Sequence, residues 1–556
     1  MKVKCKAKMG INNTKNKLTA FLMDTQNTIL SAALVLAISS GINAVLGVVK
    51  NRFFASEFGV SQELAVFYTA DKIPNLVYSI LIVGAISTVF IPVFTDLLKK
   101  DKQKAFETAS TIINTTFVFF LVISTFIFIY AEPIINLLAL GKFPSSDVTL
   151  GANLMRVMLI SQMILVTGSL ITSVLQSFKY FIAPAIAPVA YNIGMIIGIL
   201  FLSDKYGIYG PAYGTILGAT FHLLIQLPYI KRTGFVQSMS FNFHAKGLKE
   251  MSRLIPPRLV SVLISNLLGT VNNSLAILIS TSSVIFLKFA IQLQSFPIML
   301  FGASIATASL PTLSAENDEK DREKFKKTFI TSFHQMMYLV LPLSVILMIL
   351  RIPVVRLVYG VSNFPWEATV KTAYVLAFFS FSVFSQSANY LITRAFYALK
   401  DTTTPVKISA ATILLNVGMS LLFVLGFGWG VWSVAFSFSV TSLIDMVLLM
   451  YMLSRKLGGF RPETILVPFT KISYASVLMG IGLYVPLKLL DRVVFDTSRT
   501  LNLFVLTAVA GIVGMAAYLF FTKIFRVEEI ELFYKLMRKL NIDLKSSRTE
   551  ASEQNL

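Results

Sequence analysis

Apolar residues in this chain run in long blocks rather than in stripes. Stretches such as TFVFFLVISTFIFIY (116–130) and GMSLLFVLGFGWGVWSVAFSFSV (418–440) carry no charged residue at all. A bilayer core of about 30 Å needs roughly 20 such residues per helix, so blocks of this length suit a membrane span better than a soluble core. The alternating apolar and polar positions of barrel strands are absent, which leaves helices as the spanning element. The blocks between charge clusters predict fourteen spans, near 28–50, 64–96, 107–131, 148–176, 183–203, 209–230, 254–280, 283–314, 329–350, 367–394, 404–427, 429–453, 466–488 and 500–524. The fold class expected is an all-α polytopic membrane protein.

Composition agrees: 55% of the 556 residues are hydrophobic and only 14% charged, and the mean hydropathy is +0.72. The formal net charge of +21 would suggest nucleic acid in a soluble protein. Here its distribution matters more. With a cytoplasmic N-terminus, the even-numbered connections and both termini hold 35 of the 49 Lys and Arg, the odd-numbered connections 10, and four fall within spans. The positive-inside rule therefore predicts both termini in the cytoplasm, with membrane lipids and no nucleic acid as partners of the basic surface. Residues 1–27 form a basic cytoplasmic N-terminus. Residues 525–556 form a cytoplasmic tail, whose EEIELFYKLMRKLNIDL (528–544) has the spacing of a helix lying on the inner leaflet or of a solvated one.

Enzymatic chemistry finds no foothold. One cysteine, Cys5, excludes a disulfide framework, and His222, His244 and His334 are too scattered for a metal site. No nucleophile elbow, phosphate-cradling glycine loop or zinc motif occurs, so neither a cofactor nor catalysis is expected. Glycines spaced by four in apolar segments predict close helix packing.

Two pairs of segments match across the chain. GAISTVFIP (84–92) resembles GASIATASLP (302–311), each ending a span at a proline, with Pro92 and Pro311 separated by 219 positions. SFKYFIAPAIAPVAYNIGM (177–195) resembles ALKDTTTPVKISAATILLNVGM (398–419), with Asn192 and Asn416 separated by 224. Two matches at nearly one offset indicate an internal repeat: a six-helix lobe at 28–230, a second at 254–453, and a terminal helix pair at 466–524. Six is even, so the copies are parallel, related by an axis along the membrane normal. Transporters of that build bind between the bundles near the midplane.

Charges inside spans cost about 2.5–3.5 kcal/mol each on insertion scales, so each needs a partner or a wet cavity. Lys72, Arg156, Arg258 and Lys288 are the deeper cations, and Asp71 and Asp445 the main acids. Lys50 and Arg52, at the end of the first span, either line the same cavity or snorkel to the outer headgroups. Cations in excess over acids favour an anionic ligand, and a diphosphate accepts charge-assisted hydrogen bonds well. The alternative is that these residues snorkel or pair locally. Pro74, Gly84 and Pro92 in the second span, with Pro297, Gly302 and Pro311 in the eighth, read as paired hinges or as plain kinks. Asp445, in TSLIDMVLL, is either a site for a coupling ion or an acid satisfied by neighbouring hydroxyls.

KIPNL (72–76, with Asn75) followed by GAISTVFIPVF, QSFPIMLFGASIATASLPTLS (294–314) and TRAFYALKDTTTPVKI (393–408, with Arg394, Asp401 and Pro405) resemble the MurJ/MviN family of lipid II flippases, of the multidrug/oligosaccharidyl-lipid/polysaccharide exporter superfamily. The resemblance spans about residues 30–455. It implies transport without bond chemistry: fourteen helices in two lobes plus a terminal pair, moving a lipid-linked anionic glycan, the undecaprenyl-diphosphate-linked peptidoglycan precursor, across the cytoplasmic membrane. Cell-envelope synthesis proteins are the partners it suggests. The chain departs from the family pattern where arginines are usual. Ala44 and Lys50 stand in the first-helix R-x-L-G-x-x-R positions, Ala65 replaces an acid, Tyr78 an arginine, and Gln292 the arginine of A-D-R-L. Lys288, four residues before Gln292 and so on its helix face, and Arg258 are the candidates to restore positive potential. A different polyprenyl-diphosphate-linked glycan, or a membrane scaffold that no longer transports, are the alternatives these losses leave open, and a cation-coupled drug antiporter would need a more acidic cavity.

Overall fold

The structure, a computed structural model, describes residues 29–80, 82, 87–241, 262–263, 266–316, 322–493 and 500–531. Described residues form helices and turns, with no β-strand among them. Nine of these helices are long and apolar enough to cross a membrane, and ten if Trp366–Ser380 and Val383–Ala398, bent by 43° at a short break, make one span. At least one helix falls in each of the fourteen predicted spans. The basic N-terminus, Gly84, Arg258, His244 and most of the expected amphipathic tail lie outside the described residues.

The chain divides into two compact units. The first comprises Met1–Phe289, Val361–Ala368 and Val417–Val434, and the second Ala290–Gly360, Thr369–Asn416 and Ala435–Leu556. In the first, Phe90, Phe94, Phe120, Val166 and Val174 knit Ser87–Lys100, Lys102–Ile129 and Ser145–Ser177 into one core. In the second, Phe325, Phe329, Met336, Leu391 and Met479 join Arg322–Ile349, Val383–Ala398 and Pro462–Val493. Large apolar side chains such as Val122 and Ile512 point outward, as a bilayer requires.

Two local departures from the predicted spans have backbone causes. The first helix, Ile29–Glu57, continues seven residues beyond the expected end, stopping at Gly59, whose φ of +56° is the left-handed value that glycine adopts freely. Lys50 and Arg52 are therefore interior to a helix. The second span is broken into Gln62–Ala70, Lys72–Tyr78 and, further on, Ser87–Lys100. Pro74 has no N–H for the Ala70 carbonyl, so the helix ends there and restarts with the proline in its first turn, where no donor is needed. Pro92 and Pro311 do not end their segments: both lie inside helices, Ser87–Lys100 and Ser304–Ala315, that run on past them.

The backbone repeats as the sequence does. Short helices Ala131–Leu138 and Arg351–Tyr359 start 220 positions apart, each with proline third (Pro133, Pro353). Lys179 and Lys400 sit at left-handed φ values of 63° and 58° just past the ends of Ser145–Ser177 and Val383–Ala398. In each case the next N–H returns five residues, Tyr180 to Leu175 at 3.0 Å and Asp401 to Phe396 at 2.9 Å. This closure satisfies terminal carbonyls and sets a cation at the negative end of the helix dipole. π-helical turns recur too, starting at Ser79 and Ile298, 219 apart, and at Gly198 and Leu422, 224 apart. The short helices lie outside the segments whose residues reveal the repeat, and the π turns start outside them.

With lipid tails as apolar as leucine, helices associate in membranes through close packing. Gly194 and Gly198 of one helix face Gly218 and Gly214 of Tyr209–Leu224 so closely that a Cβ on Gly194 would overlap the Gly218 backbone. Gly418 faces open space. Gly194→Ala is expected to cost roughly 1–3 kcal/mol, the usual range for overpacking, and to lower the melting temperature of the purified protein, whereas Gly418→Ala leaves it unchanged or slightly raised.

Candidate functional site

The break in the second span presents Asp71 and Lys72 at the point where one helix ends and the next begins. Lys50, from the first helix, reaches the Met195 sulfur at 3.8 Å, so it faces protein and not the headgroups. Lys288, from Ser283–Pro297, holds its Nζ 5.5 Å from the centre of the Tyr68 ring. Both Lys50 and Lys72 feel the Lys288 ammonium as a repulsion and the Asp71 carboxylate as an attraction. All of these residues belong to the first unit. Three lysines and one carboxylate are thus gathered at half-buried positions, an arrangement short of negative charge.

Asn51 follows Lys50 in the first helix, and Asn272 and Asn273 lie on Asn266–Ile279. Asn51 and Asn272 are almost fully buried, with Asn51 Nδ2 and Asn272 Oδ1 lacking hydrogen-bond partners. Asn273 Nδ2 donates to the Thr69 hydroxyl at 3.2 Å. Such buried, unsatisfied polar atoms are costly unless something else meets them. Sequence reading missed them, although an Asn-Asn pair inside the apolar run LLGTVNNSLAILIS was a visible signal. Arg52, two residues after Lys50, lies on a different helix face. Gln292 is half-buried on the same helix as Lys288.

The remaining motif residues do local work. Asn75 is exposed and accepts from Gln162 Nε2 at 3.4 Å, and the Tyr78 hydroxyl pairs with Ser169 at 2.7 Å. Arg156 bonds the Phe128 carbonyl and Asn153 and sits over the Phe128 ring, a self-contained arrangement. Arg394 lies over Tyr397, and Pro405 is buried in the first turn of Thr403–Leu421. Pro297 ends a helix that passes into a π-helical stretch, Ile298–Ala303, and there Gly302 lies against Ser387 with no room for a Cβ. The repeat-related asparagines have diverged: Asn192 donates to Asn43 at 2.7 Å, and Asn416 to Thr441 at 3.0 Å.

Asp401 caps Thr403–Leu421, accepting from the Thr403 and Thr404 N–H groups at 3.1 and 3.0 Å, and takes the Lys456 ammonium at 2.6 Å. Burial raises its carboxyl, but the Lys456 and threonine hydrogen bonds outweigh that and hold it well below the ordinary carboxylate range.

The fold is that of a known class of membrane transporter. A solved "Lipid II flippase MurJ, inward closed conformation" superposes with a TM-score of 0.75 at 24% identity, covering 89% of this chain and 100% of that one. An inward-facing multidrug resistance MATE family transporter of the MOP superfamily gives 0.63 at 16% identity, over 77% and 98%. The model of the lipid II flippase MurJ family matches residues 54–509, and the chain belongs to that family. A relative described as "Probable lipid II flippase MurJ" from Buchnera aphidicola subsp. Acyrthosiphon pisum is 27% identical over 500 residues, 89% of this chain and 97% of its own. The protein is a multi-pass membrane transporter by family and by its apolar helices.

For Asp401 the expected loss on Asp401→Ala is about 1–2 kcal/mol, that of a helix cap, while Lys456→Ala, which removes a partly exposed ion pair, costs about 0.5 kcal/mol. A folded carboxyl held low stabilises at every pH above the unfolded value of about 3.9 and loses that contribution as pH falls through the folded value. The gap in melting temperature between wild type and Asp401→Asn should therefore stay constant from pH 8 to about 5 and shrink only in stronger acid.

Proposed function

We propose that this chain is a flippase that carries undecaprenyl-diphosphate-linked peptidoglycan precursor, lipid II, from the inner to the outer leaflet of the bacterial cytoplasmic membrane. The observation that carries the reading is that Lys50 and Lys72 lie within reach of both Lys288 and the acid Asp71 in a chain of the MurJ family. Three ammonium groups with one counter-charge are costly in a bilayer and become favourable when a diphosphate supplies the missing negative charge. Each Lys brings three rotatable donors, suited to two phosphate groups that move during transport. No covalent step is involved.

On this reading the lobes at 28–230 and 254–453 alternate access, with the terminal pair at 466–524 beside them and both termini cytoplasmic. The π-helical turns after Pro297 and at Ser79, the break at Asp71 and Lys72 and the prolines Pro74, Pro92, Pro297 and Pro311, with Gly84 and Gly302, are the places where the spans can bend. Arg258 and Gln292 would extend the anionic site. A second reading, a different polyprenyl-diphosphate-linked glycan, is favoured by one observation: Ala44, Tyr78 and Gln292 stand where the family pattern has arginines.

The test is complementation of cells depleted of their own lipid II flippase, at matched membrane levels. Wild type should restore growth and Lys50→Ala/Lys72→Ala/Lys288→Ala should not, while each single variant retains partial rescue. A well-inserted wild type that fails to rescue sinks the lipid II assignment and leaves another glycan or a scaffold for cell-envelope synthesis. Full rescue by the triple variant places the anionic site elsewhere.

A further inference from the structure

Asp445, in the middle of Trp432–Lys456, takes hydrogen bonds from Asn389 Nδ2 at 3.0 Å and from the Thr412 and Ser409 hydroxyls at 3.0 and 3.3 Å, so neutral groups satisfy it. Unassigned chemistry lies instead where the internal repeat fails. Helices Lys102–Ile129 and Arg322–Ile349 are repeat partners: each has 28 residues, and their starts lie 220 positions apart. Each is approached by the chain leaving the sixth or the twelfth span through a left-handed glycine, Gly234 at φ 73° and Gly458 at 81°, 224 apart. An aromatic ring follows in both, Phe235 edge-on to Phe106 at 5.3 Å and Phe460 stacked on Phe329 at 5.7 Å. There the likeness ends. In the first unit the chain continues along its helix: the Ser238 N–H donates to the Ser110 hydroxyl at 3.1 Å, and Asn114 Nδ2 donates to the Ser238 and Ser240 carbonyls, both at 2.9 Å. In the second unit it turns away into Pro462–Val493. The positions equivalent to Phe106, Ser110 and Thr111 are Lys326, Ile330 and Thr331, and they form one wall of an open cleft of about 800 Å³.

The other wall runs from Gly458 to Thr464. Lys326, Lys327 and Arg461 line the cleft against one acid, Glu323, which leaves an excess of positive charge. Lys326 reaches Glu323 at 2.8 Å with only 17% of its side chain exposed, and the Arg461 charge acts on the same carboxylate. Gly458 and Gly459 have open space where a Cβ would stand, which bares their peptide groups to a ligand. The positive end of Pro462–Val493 points the same way in charge. A mere packing gap is lined by apolar groups and stays dry, whereas this wall is cationic. Ammonium groups and a guanidinium fork suit phosphate oxygens, and the volume is that of a small-molecule site, roughly 300–1,000 Å³. On the orientation proposed above, the eighth and twelfth connections that supply these residues are cytoplasmic. The cleft then opens at the level of the inner headgroups, where basic pockets between helices take phosphates. Sequence reading counted these cations as an orientation signal, because the stretches KFKK (324–327) and GGFRP (458–462) meet only in the fold.

We propose that Lys326, Lys327 and Arg461 form a binding site for a phosphate ester at the inner end of the second unit, the ester being carried by a lipid headgroup or by a soluble compound. The site is separate from Lys50, Lys72 and Lys288, which belong to the first unit, and it stands whether or not the flippase reading does. An occupant would tie Arg322–Ile349 to the start of Pro462–Val493.

The experiment is thermal unfolding of the purified full chain at neutral pH and constant ionic strength. One arm uses phosphatidylcholine nanodiscs with and without phosphatidylglycerol, the other a neutral detergent with and without glycerol 3-phosphate. A ligand that binds only the folded form raises the melting temperature in a saturable way. Wild type should gain several degrees, from phosphatidylglycerol alone if the source is a lipid and from both probes if the phosphate ester suffices. Lys327→Gln/Arg461→Gln should need about tenfold more of the same probe, the loss of one to two charge-assisted hydrogen bonds. Lys100→Gln/Lys231→Gln, which removes as much charge from exposed positions of the first unit, should behave as wild type. Should the first double variant not fold, Arg461→Lys keeps the charge, loses the fork and should bind several-fold more weakly. No rise in wild type, a rise unchanged in Lys327→Gln/Arg461→Gln, or an equal loss in the control pair overturns the site. A rise given by a hexaglutamate peptide and by neither phosphate probe makes the cleft a seat for acidic peptide and also overturns it. Rescue of flippase-depleted cells without a phosphate effect would remove this site alone, and a phosphate effect without rescue would remove the flippase reading alone.

Discussion

A charge inside a bilayer must be paired, wetted or absent, and this molecule's two polar centres are two answers to that constraint. At the first, Lys50 and Lys72 lie under the influence of Asp71 and of Lys288, which leaves an excess of positive charge. At the second, Asp445 is held by Asn389, Ser409 and Thr412 with no cation among its partners. Each insertion of an uncompensated charge opposes the stability of the resting protein by a few kcal/mol. The first centre meets the constraint with a mixed set of charges, the second with neutral hydrogen-bond donors.

The backbone obeys the same rule. A carbonyl without a donor is as unwelcome in hydrocarbon as a charge, so every interruption of a span needs a local remedy. Pro74 frees the Ala70 carbonyl at the point where Asp71 and Lys72 bring polar side chains, so the break and the cation arise together. The π-helical turn beginning at Ile298 follows Pro297, and its Gly302 lets Ser387 come close enough to pack against the widened turn. At these two places irregular backbone coincides with polar or small side chains.

Much of this was legible in the chain. Span positions follow from apolar block length, a property that survives any tertiary arrangement, and the repeat from residue identities at Pro92 and Pro311 or Asn192 and Asn416. Lys72 and Lys288 stood out because charges in such blocks are rare. What was hidden depends on relations no single segment carries. The short helices at Ala131 and Arg351 are too brief for an apolar count, although Pro133 and Pro353 mark both. The first helix runs past Lys50 because its stop is Gly59, not the cation. Asn389 acquires its meaning only from a carboxylate on another helix, and Asn51 and Asn272 only from their burial. The repeat-related asparagines show the limit most sharply: equal in sequence position, they bond to different neighbours, Asn43 and Thr441.

The exchange of arginine for lysine bears on what the first centre can recognise. A guanidinium offers a rigid planar fork that fixes a phosphate in one orientation, whereas an ammonium is a compact charge with rotatable donors. Where the family pattern has Arg in the first helix this chain has Lys50, and Lys288 lies one turn from Gln292 rather than an arginine at that place. Tyr78, at another such position, bonds to Ser169 and stabilises its own helix pair without contributing charge. Net attraction for a diphosphate survives this exchange because it depends on the sum of charges; directional grip on its oxygens does not. On the proposed reading, selectivity for the attached glycan rests more heavily on uncharged groups, of which Asn51, next to Lys50, Asn75, three residues after Lys72, and Gln292, four after Lys288, are the nearest in sequence.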